Sequence, residues 1–310
     1  MAQINNMTDI KIFAIVVTYN GSQWISKCIN SLLLSNIKLE IIVIDNGSGD
    51  NTLDFILSCP QVKLFKSEIN LGFGKANNIG IRHALQNDAD YIFLLNQDAW
   101  VEESTVKNLL DSHIKNPEFG ILSPVHHSWD GDKLDWYFLE MISSEKCPGF
   151  INDLYFSKQK VLYDCNFIHA ACWLISRKCV SDVGLFDPIF PHYGEDNNYF
   201  QRAVGKGFRG GICTLAKVFH YGTNKDSKHS KTNNYLRTIQ NVVNLTNPNI
   251  ALLGNLVLLF KNMFYSFFDL IFSRQLNEFF NNWKVFIKTI AFLPKIIKSR
   301  KMYKVSTPFL

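Results

Sequence analysis

The sequence predicts an α/β protein: a Rossmann-like, nucleotide-binding, mostly parallel sheet followed by a C-terminal helical extension. Two observations carry this. Over the first hundred residues short apolar runs alternate with helix-period segments as β-α-β-α-β-α-β, the order that yields parallel strands joined by right-handed crossovers. Three of the apolar runs also end in hydrogen-bonding residues, at the edge where open α/β sheets bind ligands.

Ile10 to Thr18 is apolar almost throughout, as a strand buried on both faces requires, and ends in Tyr19-Asn20-Gly21, a turn signal. Ser22 is placed to cap a helix carrying Trp24, Ile25, Cys28, Leu32 and Leu33. A second strand, Glu40 to Ile44, runs into Asp45, and the helix after it carries Leu53, Ile56 and Leu57. Val62 to Phe65 is a short third strand, after which the glycine-rich stretch Asn70 to Gly80 leads into another helix. Tyr91 to Leu95 is the fourth strand, and it delivers Asn96, Gln97 and Asp98 to the sheet edge.

Asn96 and Asp98, two residues apart, can leave the strand by one face. A carboxylate there suits a hard divalent cation, magnesium or manganese, that also grips a diphosphate. The plainer reading of Asp98 is an Asx turn before a helix start, and Asp45 could likewise cap the helix that follows it.

Residues 121–165 give no clear pattern; their aromatics, Trp129 to Phe150, are read as core or as platforms for sugar faces. Phe167 to Arg177 reads as a strand, and Val183 to Pro188 as a turn. Glu195 and Asp196 then open a helix whose apolar face is Tyr199, Phe200 and Ala203. Acids favour a first helical turn for its dipole alone, yet one exposed to substrate could serve as a general base. Ile212 to His220 is a last strand, ending in an imidazole that is either structural or a ligand to a cation held by Asp98.

Composition narrows the class. With 47% hydrophobic and 19% charged residues in 310, the chain can bury one large core with an appendage. Its seven cysteines form no Cys-x-x-Cys pair and read as reduced core residues of a cytosolic protein. Met1 to Asp9 is polar and the apolar run after it is too short for a signal peptide, so export is not expected. The net charge of +5 is uneven: residues 251–310 carry nine Lys or Arg against Asp269 and Glu278, leaving the first 250 residues at −2. A mildly acidic body argues against nucleic acid as the partner.

Taken together, the motifs resemble family 2 glycosyltransferases with the GT-A fold, in particular rhamnosyltransferase-like and galactofuranosyltransferase-like members. The resemblance runs in order through VVTYN (Val16 to Asn20), VIDNGSGDNT (Val43 to Thr52), NLGFGKANNIGI (Asn70 to Ile81), LLNQDA (Leu94 to Ala99), GLFD (Gly184 to Asp187), GEDNNYFQRA (Gly194 to Ala203) and FHYGT (Phe219 to Thr223). It implies a nucleotide-sugar donor, a divalent cation and direct displacement with inversion at the anomeric carbon. Thr18, Tyr19, Asn20 and Asp45 match positions that hold base and ribose, and Asn70, Gly72 and Asn77 match the loop beside the nucleotide. Asn96-Gln97-Asp98 stands where the family has Asp-x-Asp, with Asp98 the metal ligand; Asp196 matches the catalytic base, Glu195 its neighbour, and His220 a position that reaches the metal in some members. Asn96 departs from the commonest motif, since an amide ligates a hard cation less strongly than a carboxylate, so cation binding would be shared with the diphosphate. The same variant resembles the rhamnosyltransferase-like branch, which favours dTDP-rhamnose over uridine-diphosphate hexoses.

The expected division is a catalytic domain over residues 1–225 and a helical, basic extension over 226–310. Ala251 to Phe272 is mostly apolar, with Asn255, Lys261, Asn262, Ser266, Asp269 and Ser273 forming a polar stripe, and a second helix carries Leu276, Phe279, Phe280, Trp283, Ile287 and Ile290. Lys295, Lys298, Arg300, Lys301 and Lys304 follow. An apolar face beside a basic cluster predicts a peripheral seat on the anionic inner face of the cell membrane, and hence a lipid-linked saccharide acceptor; a spanning helix and docking on the catalytic domain are the alternatives. A sugar-phosphate nucleotidyltransferase and a catalytically silent carbohydrate-binding module are the rival functions, and a homo-oligomer remains open.

Overall fold

A computed structural model describes residues 10–222, 234–273, 276–305 and 308–309. The chain opens with β1 (Ile12–Thr18), α1 (Ile25–Leu33), β2 (Glu40–Asp45), α2 (Thr52–Leu57), β3 (Val62–Lys66), α3 (Phe73–Gln86) and β4 (Tyr91–Asn96). All the pairings within this half are parallel, in the order β3-β2-β1-β4. Period-two alternation sends Phe13, Ile15, Ile42 and Leu94 into one core and Ala14, Val16, Val43 and Leu95 into the other, so the strands read as unbroken apolar runs. Register sets Thr18 opposite Asp45 and Val17 opposite Asn96, which brings the three strand ends level with one another.

The second half adds β5 (Ala99–Val101), α4 (Thr105–Lys115), β6 (Phe119–Ser128), α5 (Trp136–Met141), α6 (Phe150–Tyr155), β7 (Leu162–Cys165), β8 (Cys172–Ser176), α7 (Arg177–Val183), α8 (Glu195–Gly205) and β9 (Arg209–His220). β8 joins β4 antiparallel, β6 lies between β8 and β9, and β5 and β7 pair antiparallel with β9. The short β5 is the consequential addition: Ala99 pairs with His220, which carries the end of β9 to Asp98.

Two local expectations need correction. Ser22 does not cap α1; the N-cap is Trp24, and the Ser22 N–H donates to Asp50 instead (3.2 Å). The strand read from Phe167 begins only at Cys172, because residues 167–171 turn away from the sheet to meet α8. Of the unpatterned aromatics, Phe138 and Phe150 are core while Trp136 and Tyr137 are partly exposed. All seven cysteines are free, and six of them are buried.

The tail forms α9 (Asn234–Thr246), α10 (Leu252–Ser273), α11 (Leu276–Ala291) and α12 (Leu293–Met302). α9 buries Ile239, Val242 and Val243 against Phe190, and the other three helices gather around it. Arg300, expected in a membrane-facing basic cluster, instead donates to the carbonyls of Leu245, Asn247 and Ile250 (2.5–3.0 Å) and so caps the end of α9. Beyond it, the Leu185 N–H donates to the Pro308 carbonyl (3.0 Å) and the Arg82 guanidinium to that of Phe309 (3.1 Å), tying residues 308–309 to the sheet domain. Among the described residues no helix is long and apolar enough to cross a membrane. Met1 to Asp9, Thr223 and residues 224–233 lie outside the described residues, as do the side chains of Asp269 and Ser273.

Candidate active site

Two cavities open at the level strand ends. One, of about 660 Å³, is lined by Tyr19, Trp24, Asn46, Asn70, Gly72, Lys75, Gln97 and Pro191 among others; its neighbour, of about 600 Å³, holds Glu195, Asp196, His169, Tyr137 and His220. Phe73, Asn96, Asp98 and His192 line both, so Asp98 stands at the seam.

The first cavity is built by side chains that pin one strand end to the next. Gln97 accepts from the Thr18 hydroxyl (2.6 Å) and the Tyr19 N–H (2.9 Å) and returns a hydrogen bond to the Tyr19 carbonyl (3.2 Å). Asn20, in the left-handed region at φ 47°, accepts from the Gly49 N–H (2.8 Å). Asp45 is buried and accepts from the Ser48 N–H, while Asn77 is buried and donates to the Phe73 carbonyl (3.0 Å). Thr18, Asn20, Asp45 and Asn77 therefore shape the walls rather than line them, whereas Tyr19, Asn70, Gly72, Asn96 and Gln97 face the space.

Asn46, which sequence reasoning passed over, holds the loop: its amide donates to the Asn70 side chain (3.0 Å) and accepts from the Leu71 N–H (2.9 Å). Its place directly after Asp45 at a strand end was the available signal. Lys75 is the one Lys or Arg side chain lining either cavity among the described residues.

At the seam, His220 lies between two carboxylates, with Nε2 3.5 Å from Asp98 and Nδ1 3.5 Å from Asp135. Burial opposes charge on this imidazole, but Asp135 and Asp98 outweigh it and raise its pKa to about 9. Asp135 was not foreseen; it also caps α5, accepting from the Phe138 N–H (3.0 Å). No three acidic, His or Cys side chains among the described residues come together as a complete metal site. Asp98 and His220 fit a partial one: a hard oxygen and a ring nitrogen that would have to release its proton to an arriving cation, with the Asp135 carboxylate on the far side to hold the proton left on Nδ1.

In the second cavity α8 begins after Gly194, in the left-handed region at φ 85°, where a Cβ would press on Val243, Ile239 and Phe190. The Asp196 carboxylate accepts from the N–H groups of Asn197 (2.7 Å) and Ala170 (3.3 Å). Burial raises its pKa against those hydrogen bonds. Glu195 is more strongly affected: burial, then the charge of Asp196, push it up to about 8, and its Oε2 is buried without a hydrogen-bond partner. Because the charge of Asp196 is part of what raises Glu195, Asp196 is the first of the pair to give up its proton and Glu195 the one that keeps it, which leaves Asp196 as the group able to act as a general base. His169, also unforeseen, lines the same cavity and is kept neutral, its pKa lowered to about 4 by burial and by His220.

A GT-A sheet whose strand ends open on two joined cavities is the architecture of a glycosyltransferase. The chain belongs to glycosyl transferase family 2, whose sequence profile matches residues 13–184. It is 26% identical over 237 residues, 73% of this chain and 77% of the relative, to the dTDP-rhamnosyl transferase RfbF of Shigella flexneri. It is 24% identical over 244 residues, 69% of this chain and 77% of the relative, to an N-acetylglucosaminyl-diphospho-decaprenol L-rhamnosyltransferase of Mycobacterium tuberculosis. The fold is similar to that of S. aureus TarS 1-349 in complex with UDP-GlcNAc, with TM-score 0.56 at 16% identity over 95% of this chain and 90% of that one.

Proposed function

We propose that the protein is an inverting, metal-dependent glycosyltransferase that moves rhamnose from dTDP-rhamnose, or a hexose from a uridine-diphosphate donor, onto a lipid-linked saccharide during bacterial surface polysaccharide (O-antigen or capsule) assembly. The observation that carries this is the seam: Asp98 lies between a cavity with Lys75 and amides at strand ends and a cavity with a buried carboxylate pair. The similarity to RfbF supports rhamnose, and the relative named for a diphospho-decaprenol supports a lipid-carried acceptor.

The nucleotide would lie along Tyr19, Asn70 and Gly72 with its diphosphate toward Lys75 and Asp98. A magnesium or manganese ion held by Asp98 and His220 would supply charge neutralisation for the leaving diphosphate. Asp196 takes the proton of the acceptor hydroxyl, and the freed oxygen attacks the anomeric carbon on the face opposite the leaving group, which inverts the centre. Neutral Glu195 leaves that negative charge on Asp196. Residues 1–225 form the catalytic unit in this reading, and residues 226–310 an extension that keeps it peripherally at the inner face of the cell membrane.

Calorimetric titration with deoxythymidine and uridine diphosphates and their sugars, with and without manganese, tests the donor site. Manganese-dependent binding that Asp98→Ala abolishes is expected; no binding to either nucleotide would overturn the reading.

A further inference from the structure

α10 and α11 are built inside out. Of the polar residues on α10, Asn255 donates to the Asn244 carbonyl (2.5 Å), Ser266 is buried and accepts from Asn282 (2.7 Å), and Asn262 lines a cavity beside Asn241. On α11, Glu278 pairs with Arg237 (3.0 Å) and Thr289 accepts from Asn241 (3.2 Å). These polar side chains are thus turned toward α9 and into the hairpin itself, while Lys261 and Asn277 are exposed.

The outer side is apolar. Leu253, Val257 and Phe260 on α10 and Phe280, Trp283 and Ile287 on α11 are between 47% and 73% exposed. Phe286 joins the two rows, its ring 5.2 Å from that of Phe260 and 5.8 Å from that of Trp283. A helix pair in water shows the opposite arrangement, and an exposed apolar face of this extent marks a surface that something apolar covers.

We propose that this face is a monotopic membrane seat, inserted into the headgroup and upper acyl region of an anionic leaflet. Charge selects the occupant. Lys284 and Lys288 on α11 and Lys295, Lys298 and Lys301 on α12 are exposed, while the one carboxylate among the described side chains of α10–α12, Glu278, is paired inward. A two-fold contact between copies through this face would bring the same lysines together, whereas acidic lipid headgroups neutralise them. An indole and a phenyl ring flanked by lysines is the composition of an interfacial helix, and with no helix among the described residues long and apolar enough to cross, the hairpin lies in the plane of the membrane. The proposal rests on the lipid-carried acceptor reading only for the use of such a seat.

The test is co-sedimentation of the full chain with phosphatidylcholine vesicles, with and without phosphatidylglycerol, alongside the indole emission of Trp283 compared between wild type and Trp283→Phe. Binding that strengthens with phosphatidylglycerol is expected, with a blue shift that Trp283→Phe diminishes. Phe280→Ser with Trp283→Ser, and separately Lys284→Glu with Lys288→Glu, should each weaken vesicle binding at least 10-fold. Binding of the nucleoside diphosphate should be unchanged in both, which shows that they fold. Wild type that ignores anionic vesicles, variants that bind as well as wild type, or a dimer in sedimentation velocity dispersed by the same substitutions would overturn it. Transfer to a tail-free acceptor analogue reads catalysis separately: its failure with vesicle binding intact would sink the functional reading and leave the seat standing.

Discussion

Gly72 and the carbonyl of Pro191 are in contact so close that a Cβ on Gly72 would overlap the Pro191 oxygen. This packs the loop before α3 against the loop before α8, and both residues line the cavity assigned to the nucleotide. Gly72 also adopts φ 81°, ψ 168°, a region open in practice only to glycine. Gly72→Ala should therefore cost about 1–3 kcal/mol in backbone strain and lower nucleoside diphosphate affinity by roughly 10-fold as Pro191 is displaced. Gly49→Ala, with open space around its Cβ, is the control and should be silent. Calorimetry and urea unfolding check both, and equal behaviour of the two variants would refute the role given to the contact.

Asp196→Asn preserves shape and removes the base. Transfer should fall on the order of 10²–10⁴-fold while nucleotide affinity stays at the wild-type level. A variant that still transfers at wild-type rate would move the base elsewhere in the cavity, with Glu195 the next group to replace.

Glu195 makes the stability pH-dependent. Its carboxyl is held at about 8 in the folded chain against 4.5 for a free one, so between those values the native state keeps a proton that the unfolded chain releases. Stability is then highest below about pH 4.5 as far as this group is concerned, and falls as pH rises toward 8, by on the order of a few kcal/mol. Glu195→Gln has no proton to lose and should flatten that fall. Urea midpoints for both proteins at pH 5, 6.5 and 8 decide it, and parallel profiles would count against a neutral Glu195.

The parallel half was legible because burial on both faces writes an unbroken apolar run, and because Thr18, Asp45 and Asn96 each follow such a run directly. The second half was not. β5 is three residues long and exists through its pairing with β9, and Phe167 to Ala171, apolar but for His169, runs straight into β8 in sequence yet leaves the sheet, with the Ala170 N–H on Asp196. Asp135 and His169 come to the cavities on irregular connections whose placement depends on pairings far apart in sequence, and no local period encodes that. On α10 the polar stripe was visible, but which side faced protein was decided by Asn244, Asn241 and Asn282, its partners on other helices.

Asp135 should act on the cation site through His220. Its carboxylate stands 3.5 Å from Nδ1 while Nε2 faces Asp98, so when an ion displaces one of the two ring protons Asp135 holds the other on Nδ1 and Nε2 becomes the ligand. Asp135→Asn separates this role from the capping of α5, since asparagine caps a helix as well as aspartate does. The variant should unfold at nearly the wild-type urea midpoint but lose about 10–100-fold in manganese affinity, read as the manganese concentration needed for half-maximal nucleoside diphosphate binding. Nucleotide binding without manganese should not change. If the manganese requirement stays at its wild-type value, Asp135 only caps α5 and His220 takes its orientation from the Ala99 pairing alone.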